Sequence, residues 1–229
     1  MIINNTKNSV ELLENICFWI FDLDNTIYSY KTNLFNQIEK RIGQYLQKSL
    51  SIELIEAKKI QKKLFFKYGS TLKGLMEEYK QKPDLFLDYV HDIDYSILKE
   101  DKKLAFALPK LQGKKFIYTN GSHKHAVNVI NQLGIADCFD NIYDITCANF
   151  IPKPSIIPFN DFVKKYNISP KNSLMAEDML KNLEAAFSLG MKTLFIKTNN
   201  KWASSGNIEN IDFETNDLSE WLYSYTKLY

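Results

Sequence analysis

The sequence predicts an α/β fold, a doubly wound parallel sheet with an inserted all-helical cap. Three observations predict it. The nearly continuous apolar run Ile16-Cys17-Phe18-Trp19-Ile20 reads as a strand covered on both faces. From Lys114 onward, strand-like and helix-like segments alternate, which implies crossovers between parallel strands. Between these two regions, residues 32–108 show helical periodicity and no strand-like run.

The first strand runs into Phe21-Asp22-Leu23-Asp24-Asn25-Thr26, with Cys17 expected inside the strand. In the helical stretch, Leu34, Ile38, Ile42, Tyr45 and Leu46 form one stripe, and Leu54, Ala57, Ile60, Leu64 and Phe65 a second. Met76 and Tyr79 lie on a third, ending near Pro83, after which Asp84 reads as an N-cap for Leu85 to Tyr89. Lys114 to Thr119 is the next strand, and Ser122 caps a helix from His123 to Leu133. A strand at Asn141 to Ile145, a helix at Ser155 to Tyr166 and a strand at Ser173 to Ala176 follow. A helix from Leu180 to Leu189 is stopped by Gly190, Met191 to Ile196 is a strand, and Asn216 to Tyr225 is a last helix. The expected organisation is a Rossmann-like core of residues 1–30 and 105–229 with a helical cap of residues 31–104. The cap leaves the chain directly after the acidic loop, so it should lie over that loop as a lid.

Composition sets bounds. A chain of 229 residues holds one large domain, or a core with a small insert. Hydrophobic residues at 45% and charged ones at 24% are ordinary globular values. Net charge is +2, from 29 basic and 27 acidic residues interleaved along helical stretches, which gives no support for a nucleic-acid polymer as partner. No segment reaches the roughly 20 apolar residues that span a membrane. Met1 to Asn15 shows no signal-peptide pattern. Cys17, Cys138 and Cys147 lack metal-ligand spacing and are expected as reduced, buried thiols in a cytoplasmic protein.

Four stations fall just after strands, at the sheet edge where α/β folds bind ligands. Asp22 and Asp24 are two residues apart at a strand end, so their side chains share a direction. Close carboxylates are costly unless a cation or a shared proton relieves them, which suits a Mg²⁺ site for phosphoryl chemistry. An acidic turn would give the same letters. Thr119-Asn120-Gly121-Ser122 offers a hydroxyl, an amide and N–H groups before a helix, either an anion site or a plain N-cap loop. Lys153 stands between Pro152 and Pro154, which hold it in place as a point charge for phosphate. Glu177-Asp178 either caps a helix or completes a Mg²⁺ shell.

In combination these stations resemble the haloacid dehalogenase-like hydrolase superfamily. The chain resembles its pyrimidine 5'-nucleotidase branch more closely, through Asp22 to Tyr28, Tyr68-Gly69-Ser70-Thr71-Leu72 with Gly74-Leu75-Met76, and His91-Asp92-Ile93-Asp94-Tyr95. Thr119-Asn120-Gly121, Pro152-Lys153-Pro154 and Glu177-Asp178-Met179 with Asn182-Leu183 complete that likeness. The resemblance implies Mg²⁺-dependent hydrolysis of a small phosphorylated metabolite through an aspartyl-phosphate. In it, Asp22 is the nucleophile, and Asp24 protonates the leaving alcohol and then takes a proton from water. Asp24 is expected to carry that proton because metal and lysine charge act mainly on Asp22. Thr119 and Asn120 hold phosphate oxygens, and Lys153 bridges phosphate and Asp22. Asp22, the backbone carbonyl of Asp24 and Asp178 hold Mg²⁺, with Glu177 behind them and the division of metal work between Glu177 and Asp178 open.

The second aspartate argues for phosphate-ester hydrolysis, since a halide leaves without a proton. Alternatives are a phosphatase of sugar phosphates or phosphoglycolate, a β-phosphoglucomutase-like phosphotransferase and a non-catalytic binding module. Substrate choice is expected in the cap, with Tyr68, Thr71 and His91 near a nucleoside monophosphate, pyrimidine ones favoured, and Met76 in the cap's own core. His91 also suits packing at the cap junction. His123 and His125 read as solvated first-turn residues.

Overall fold

The computed structural model describes residues 13–199 and 206–227. The signal-peptide reading of Met1 to Asn15 thus falls largely outside the described residues, as do the outermost ends of the expected core. Six strands form one parallel sheet: β1 (Phe18–Phe21), β2 (Lys114–Tyr118), β3 (Asn141–Tyr143), β4 (Ser173–Glu177), β5 (Lys192–Ile196) and β6 (Phe213–Thr215). Their order is β3-β2-β1-β4-β5-β6. The chain builds outward from β1 to β3, then returns to the other side of β1 to start β4. That reversal makes a crevice beyond the carboxyl ends of β1 and β4, where such sheets bind ligands.

Alternation along the strands sends side chains to two cores. Trp19 and Phe21, Ile117, Leu174 and Ala176, and Leu194 and Ile196 face one side. There they pack on α5 (Lys102–Ala107), α6 (His123–Gln132) and α9 (Leu218–Thr226). Ile20, Phe116 and Tyr118, Met175 and Phe195 face the other, against α7 (Ile156–Lys165) and α8 (Leu180–Ser188). Helices on both faces explain why β1 reads as a continuous apolar run.

Between β1 and α5 the chain forms α1 (Leu34–Leu50), α2 (Leu54–Tyr68), α3 (Thr71–Tyr79) and α4 (Pro83–Val90). Ile38, Leu46, Ala57, Leu64, Leu75 and Phe86 join in a third core, which also takes in Ile145 from the loop after β3. Among the described residues no helix is long and apolar enough to cross a membrane.

Several expectations are corrected. Cys17 is exposed and precedes β1, although its N–H donates to the Asn172 carbonyl and its carbonyl accepts from Lys114 N–H. Cys138 and Cys147 are half-buried. Asp84 lies in the first turn of α4 rather than capping it; Pro83, with its preset φ, starts the helix and Lys82 is the cap residue. β2 stops before Thr119 and β3 before Asp144, so both loops begin earlier than the apolar runs suggest. β4 extends through Glu177. The last helix starts at Leu218, capped by the Asp217 carboxylate accepting from Glu220 N–H. β6 has no signature in the sequence, since three residues with Glu214 at the centre make no apolar run.

Gly74 in α3 lies against α2, and a Cβ there would sit 2.6 Å from Leu64 Cβ. Alanine would gain about 0.8–1.0 kcal/mol of helix propensity, whereas overpacking costs about 1–3 kcal/mol. Gly74→Ala should therefore be destabilising by up to about 2 kcal/mol, read as a lower urea midpoint with an unchanged slope.

Candidate active site

The loop after β1 is tied down before it turns. Asp22 N–H donates to the Ala176 carbonyl at 2.9 Å, continuing the pairing of β1 with β4. Asn25 then takes a left-handed φ of 60°, a conformation asparagine tolerates, and the N–H of Ile27 closes the turn on the Leu23 carbonyl at 3.0 Å. Asp22 and Asp24 are thereby both delivered to the crevice.

Lys153 reaches Asp22 from the loop before α7. The Asn120 amide grips the lysine backbone from both sides, Oδ1 accepting from Lys153 N–H at 2.8 Å and Nδ2 donating to its carbonyl at 3.3 Å. The side chain is 1% exposed. Its ammonium donates to Asp22 Oδ1 at 2.6 Å, Glu177 Oε2 at 2.7 Å and the Tyr118 carbonyl at 2.8 Å. Three acceptors use all three ammonium protons. Burial alone would lower the lysine's pKa, but Asp22 and Glu177 raise it and keep it charged.

One ammonium faces three acids. Asp22, Glu177 and Asp178 are buried, with carboxylate oxygens within 4.8 Å of one another. Asp22 is pushed up to about 7, first by burial, then by Glu177, against the pull of Lys153. Asp178 is also raised, by burial and then Glu177 and Asp22. Glu177 is tied to its surroundings, since Oε2 takes the lysine and Oε1 accepts from Met179 N–H at 3.2 Å. The surplus charge therefore rests on Asp22 and Asp178. An all-oxygen site with unrelieved negative charge fits a hard divalent cation such as Mg²⁺.

Asp24 stands apart from that cluster. Its Oδ1 accepts from the Tyr28 hydroxyl at 2.5 Å and contacts His125 Nε2 at 2.8 Å. Burial pushes its pKa up, but the His125 charge and the bonds from His125 and Tyr28 outweigh this and hold it below the usual range. That direction runs against the expectation that Asp24 readily carries a proton. His125 is fully buried, not solvated as expected. Its place on the stripe of Ala126, Val129 and Ile130 is the signal that could have revealed this. Tyr28 and Tyr95 lie in segments that carried the resemblance without a role.

A cavity of about 180 Å³ opens from Asp22, Asp24, Thr119, Asn120 and Lys153 toward the helical insert. Thr119 is buried, with Oγ1 accepting from Gly121 N–H at 2.9 Å. Gly69, at a left-handed φ of 80°, ends α2 beside Pro152 and lets Ser70 cap α3. Thr71 and His91 both line the cavity. Tyr68 does not; its hydroxyl donates to Glu78 Oε1 at 3.1 Å, on a surface shared with Lys67. Phe35, Phe86 and Gln61, which the sequence does not mark, line the cavity as well, as does Phe65 from the second helical stripe.

The family profile described as "Haloacid dehalogenase-like hydrolase" matches residues 19–196, which carry all four stations. The chain belongs to the haloacid dehalogenase-like hydrolases. Phosphate metabolism protein 8 of Saccharomyces cerevisiae is 31% identical over 191 residues, or 76% of this chain and 59% of the yeast protein. The chain thus spans 59% of the length of that curated relative. Among solved structures, a HAD phosphatase from Thermococcus onnurineus superimposes with a TM-score of 0.58 at 20% identity, covering 93% of this chain and 97% of that one. The putative HAD-hydrolase YfnB from Bacillus subtilis, solved bound to magnesium, gives 0.58 at 18% identity, with 92% and 98% covered. L-2-haloacid dehalogenase from Xanthobacter autotrophicus gives 0.56 at 14% identity, with 90% and 97% covered. These likenesses establish the fold; phosphatases and dehalogenases share it.

Two outcomes follow from the charges in this hydrolase. Asp22 has its pKa raised from 3.8 to about 7, so its contribution to stability is fully present below the unfolded value and lost as pH rises through the folded one. Metal-stripped protein should lose stability across that window, and Mg²⁺ should raise the melting temperature more at about pH 8 than at about pH 5. Lys153→Met leaves three buried acids without their counter-charge and should be destabilising by about 3–5 kcal/mol at neutral pH, measured by denaturant unfolding.

Proposed function

We propose that this hydrolase is a Mg²⁺-dependent phosphatase that works through an aspartyl-phosphate and acts on nucleoside 5'-monophosphates, pyrimidine ones favoured. Asp24 carries the reading. A second carboxyl beside Asp22, lining the same cavity, is what an alkoxide leaving group needs and a halide does not. An Asp22 oxygen forms a bond to phosphorus as the ester P–O bond breaks, and the departing alkoxide takes a proton from Asp24, which enters this step in its protonated form. Water then attacks phosphorus, Asp24 accepts its proton, and the bond from phosphorus to Asp22 breaks. Lys153 holds Asp22 in line and offsets its charge. Thr119 and the N–H groups ahead of α6 face the phosphate. Because the Asn120 side chain is engaged on the Lys153 backbone, its contact with phosphate would come from the second amide hydrogen or the main chain. Asp22, Asp178 and the Asp24 carbonyl would hold Mg²⁺, which supplies charge neutralisation; Glu177 serves the lysine.

Residues 31–104 would act as the cap and set specificity. Aromatic walls from Phe35, Phe65 and Phe86 with polar groups at Gln61, Thr71 and His91 suit a nucleobase, which stacks and also hydrogen-bonds. A bare sugar phosphate would leave those aromatic faces uncovered. The phosphate-related name of the yeast relative agrees with this class of substrate. A cytoplasmic location belongs to the same reading, supported by three unpaired cysteines.

The test is a panel of nucleoside monophosphates, hexose phosphates, phosphoglycolate and p-nitrophenyl phosphate, with and without chelator. Pyrimidine nucleotides should lead, and chelator should abolish phosphate release. A lead by phosphoglycolate, or interconversion of hexose phosphates, would overturn the substrate assignment. Asp22→Asn should stop turnover. Asp24→Asn should slow nucleotide hydrolysis by roughly 10²–10⁴-fold, with a smaller loss on p-nitrophenyl phosphate. Thr71→Val should reorder nucleotides while p-nitrophenyl phosphate hydrolysis stays constant; equal losses on every substrate would remove Thr71 from recognition.

A further inference from the structure

His125 occupies a position that the reaction above does not use. It is fully buried on the inner face of α6, three residues into the helix that follows the phosphate loop. Its Nε2 lies 2.8 Å from Asp24 Oδ1. Its Nδ1 lies 3.0 Å from the Tyr95 hydroxyl, which also lies 3.0 Å from the His91 carbonyl. The His91 ring stacks on His125 at 4.4 Å between centroids and 6° between planes, and its Nδ1 meets Ser122 Oγ at 2.9 Å. The imidazole is thus gripped at both nitrogens and covered on one face.

Counting hydrogens fixes its orientation. The Tyr95 hydroxyl has one proton and three neighbours, the His91 carbonyl, His125 Nδ1 and the Asn128 side chain, whose amide can donate. A carbonyl can only accept, so that proton goes to His91, and His125 Nδ1–H donates to the phenol oxygen. Asp24 Oδ1 acts as an acceptor, as it does toward Tyr28, so Nε2 also carries a hydrogen and the ring donates from both nitrogens. Tyr28 and His125 both meet Oδ1, so Oδ2 is the oxygen their bonds leave for the reacting alcohol or water.

Resting on the phosphatase reading above, we infer that His125 is a positioning residue for Asp24. It pins one carboxyl oxygen so that the other meets the leaving group, and Tyr95 sets the angle of the imidazole. The grip comes from the segment after α4, next to the cavity wall at His91, so the acid is oriented by the chain that adjoins the substrate. A carboxyl free to rotate would keep its charge and its place in the site but lose its alignment.

The experiment compares two substrates that differ in their need for a proton. An alkyl phosphate expels a poor leaving group; p-nitrophenyl phosphate expels one that leaves unaided. His125→Leu, with Mg²⁺ present, should lower kcat on the alkyl phosphate by about tenfold or more and on p-nitrophenyl phosphate by less than about threefold. His125→Gln, whose amide can donate from the place of Nε2, should recover most of the difference. Tyr95→Phe keeps the imidazole and removes its anchor, and should show the same selective loss in milder form. Equal losses on both substrates, or a Gln variant as slow as Leu on the alkyl phosphate, would overturn the inference. If neither His125 variant folds, as judged by circular dichroism, Tyr95→Phe decides: a selective loss supports the role and unchanged rates reject it. Wild-type protein that releases no phosphate from any ester would instead overturn the phosphatase reading.

Discussion

A lysine ammonium buried among two carboxylates and a carbonyl is the constraint on which this site depends. Charge does not survive burial unless it is paired and hydrogen-bonded, and Lys153 meets that condition at all three protons. Its acceptors come from the ends of three adjacent strands, or the residue just after: Asp22 after β1, Tyr118 on β2 and Glu177 on β4. They converge only because β2 and β4 flank β1, which is the point where the sheet reverses its direction of growth. The Asn120 clamp on the lysine backbone comes from the end of β2 as well. Sheet order and buried charge are thus one arrangement.

Two acids separated by one residue meet opposite surroundings. Asp22 faces Glu177 and is raised even though Lys153 touches it. Asp24 faces His125 and Tyr28 and is lowered. Pairs of titratable groups whose environments push them apart are how one cleft runs two kinds of chemistry. Here the separation is made by elements far apart in sequence: α6 and the segment after α4 act on Asp24, and the β4 end acts on Asp22.

The helical insert contributes differently. It supplies no carboxylate to the buried cluster, and its own core holds most of its apolar side chains. What it gives the cavity is a largely apolar wall, in which three phenylalanines stand among aliphatic side chains, with a few polar groups that include Glu39. The charged floor and the apolar wall are therefore built by separate parts of the chain.

Much of the fold was legible in the sequence, because apolar periodicity is a local property. The strands β1, β2, β4 and β5, the helices α1, α2 and α6 to α8, and the four stations at strand ends all follow from residues near one another in the chain. β6 was not legible, since an edge strand of three residues has no apolar run to show. Asp84 misled because an acid in a first turn and an acid at a cap look alike, and the backbone of Pro83 decides between them. The sequence by itself determined the α/β class, the helical insert and the residue types at the sheet edge. Tertiary structure alone decided that Glu177 holds the lysine, that Tyr68 points to Glu78 and away from the cavity, and that His125 is buried against Asp24. Those are contacts between residues up to 101 positions apart, set by which elements pack together, and periodicity along the chain carries no record of them.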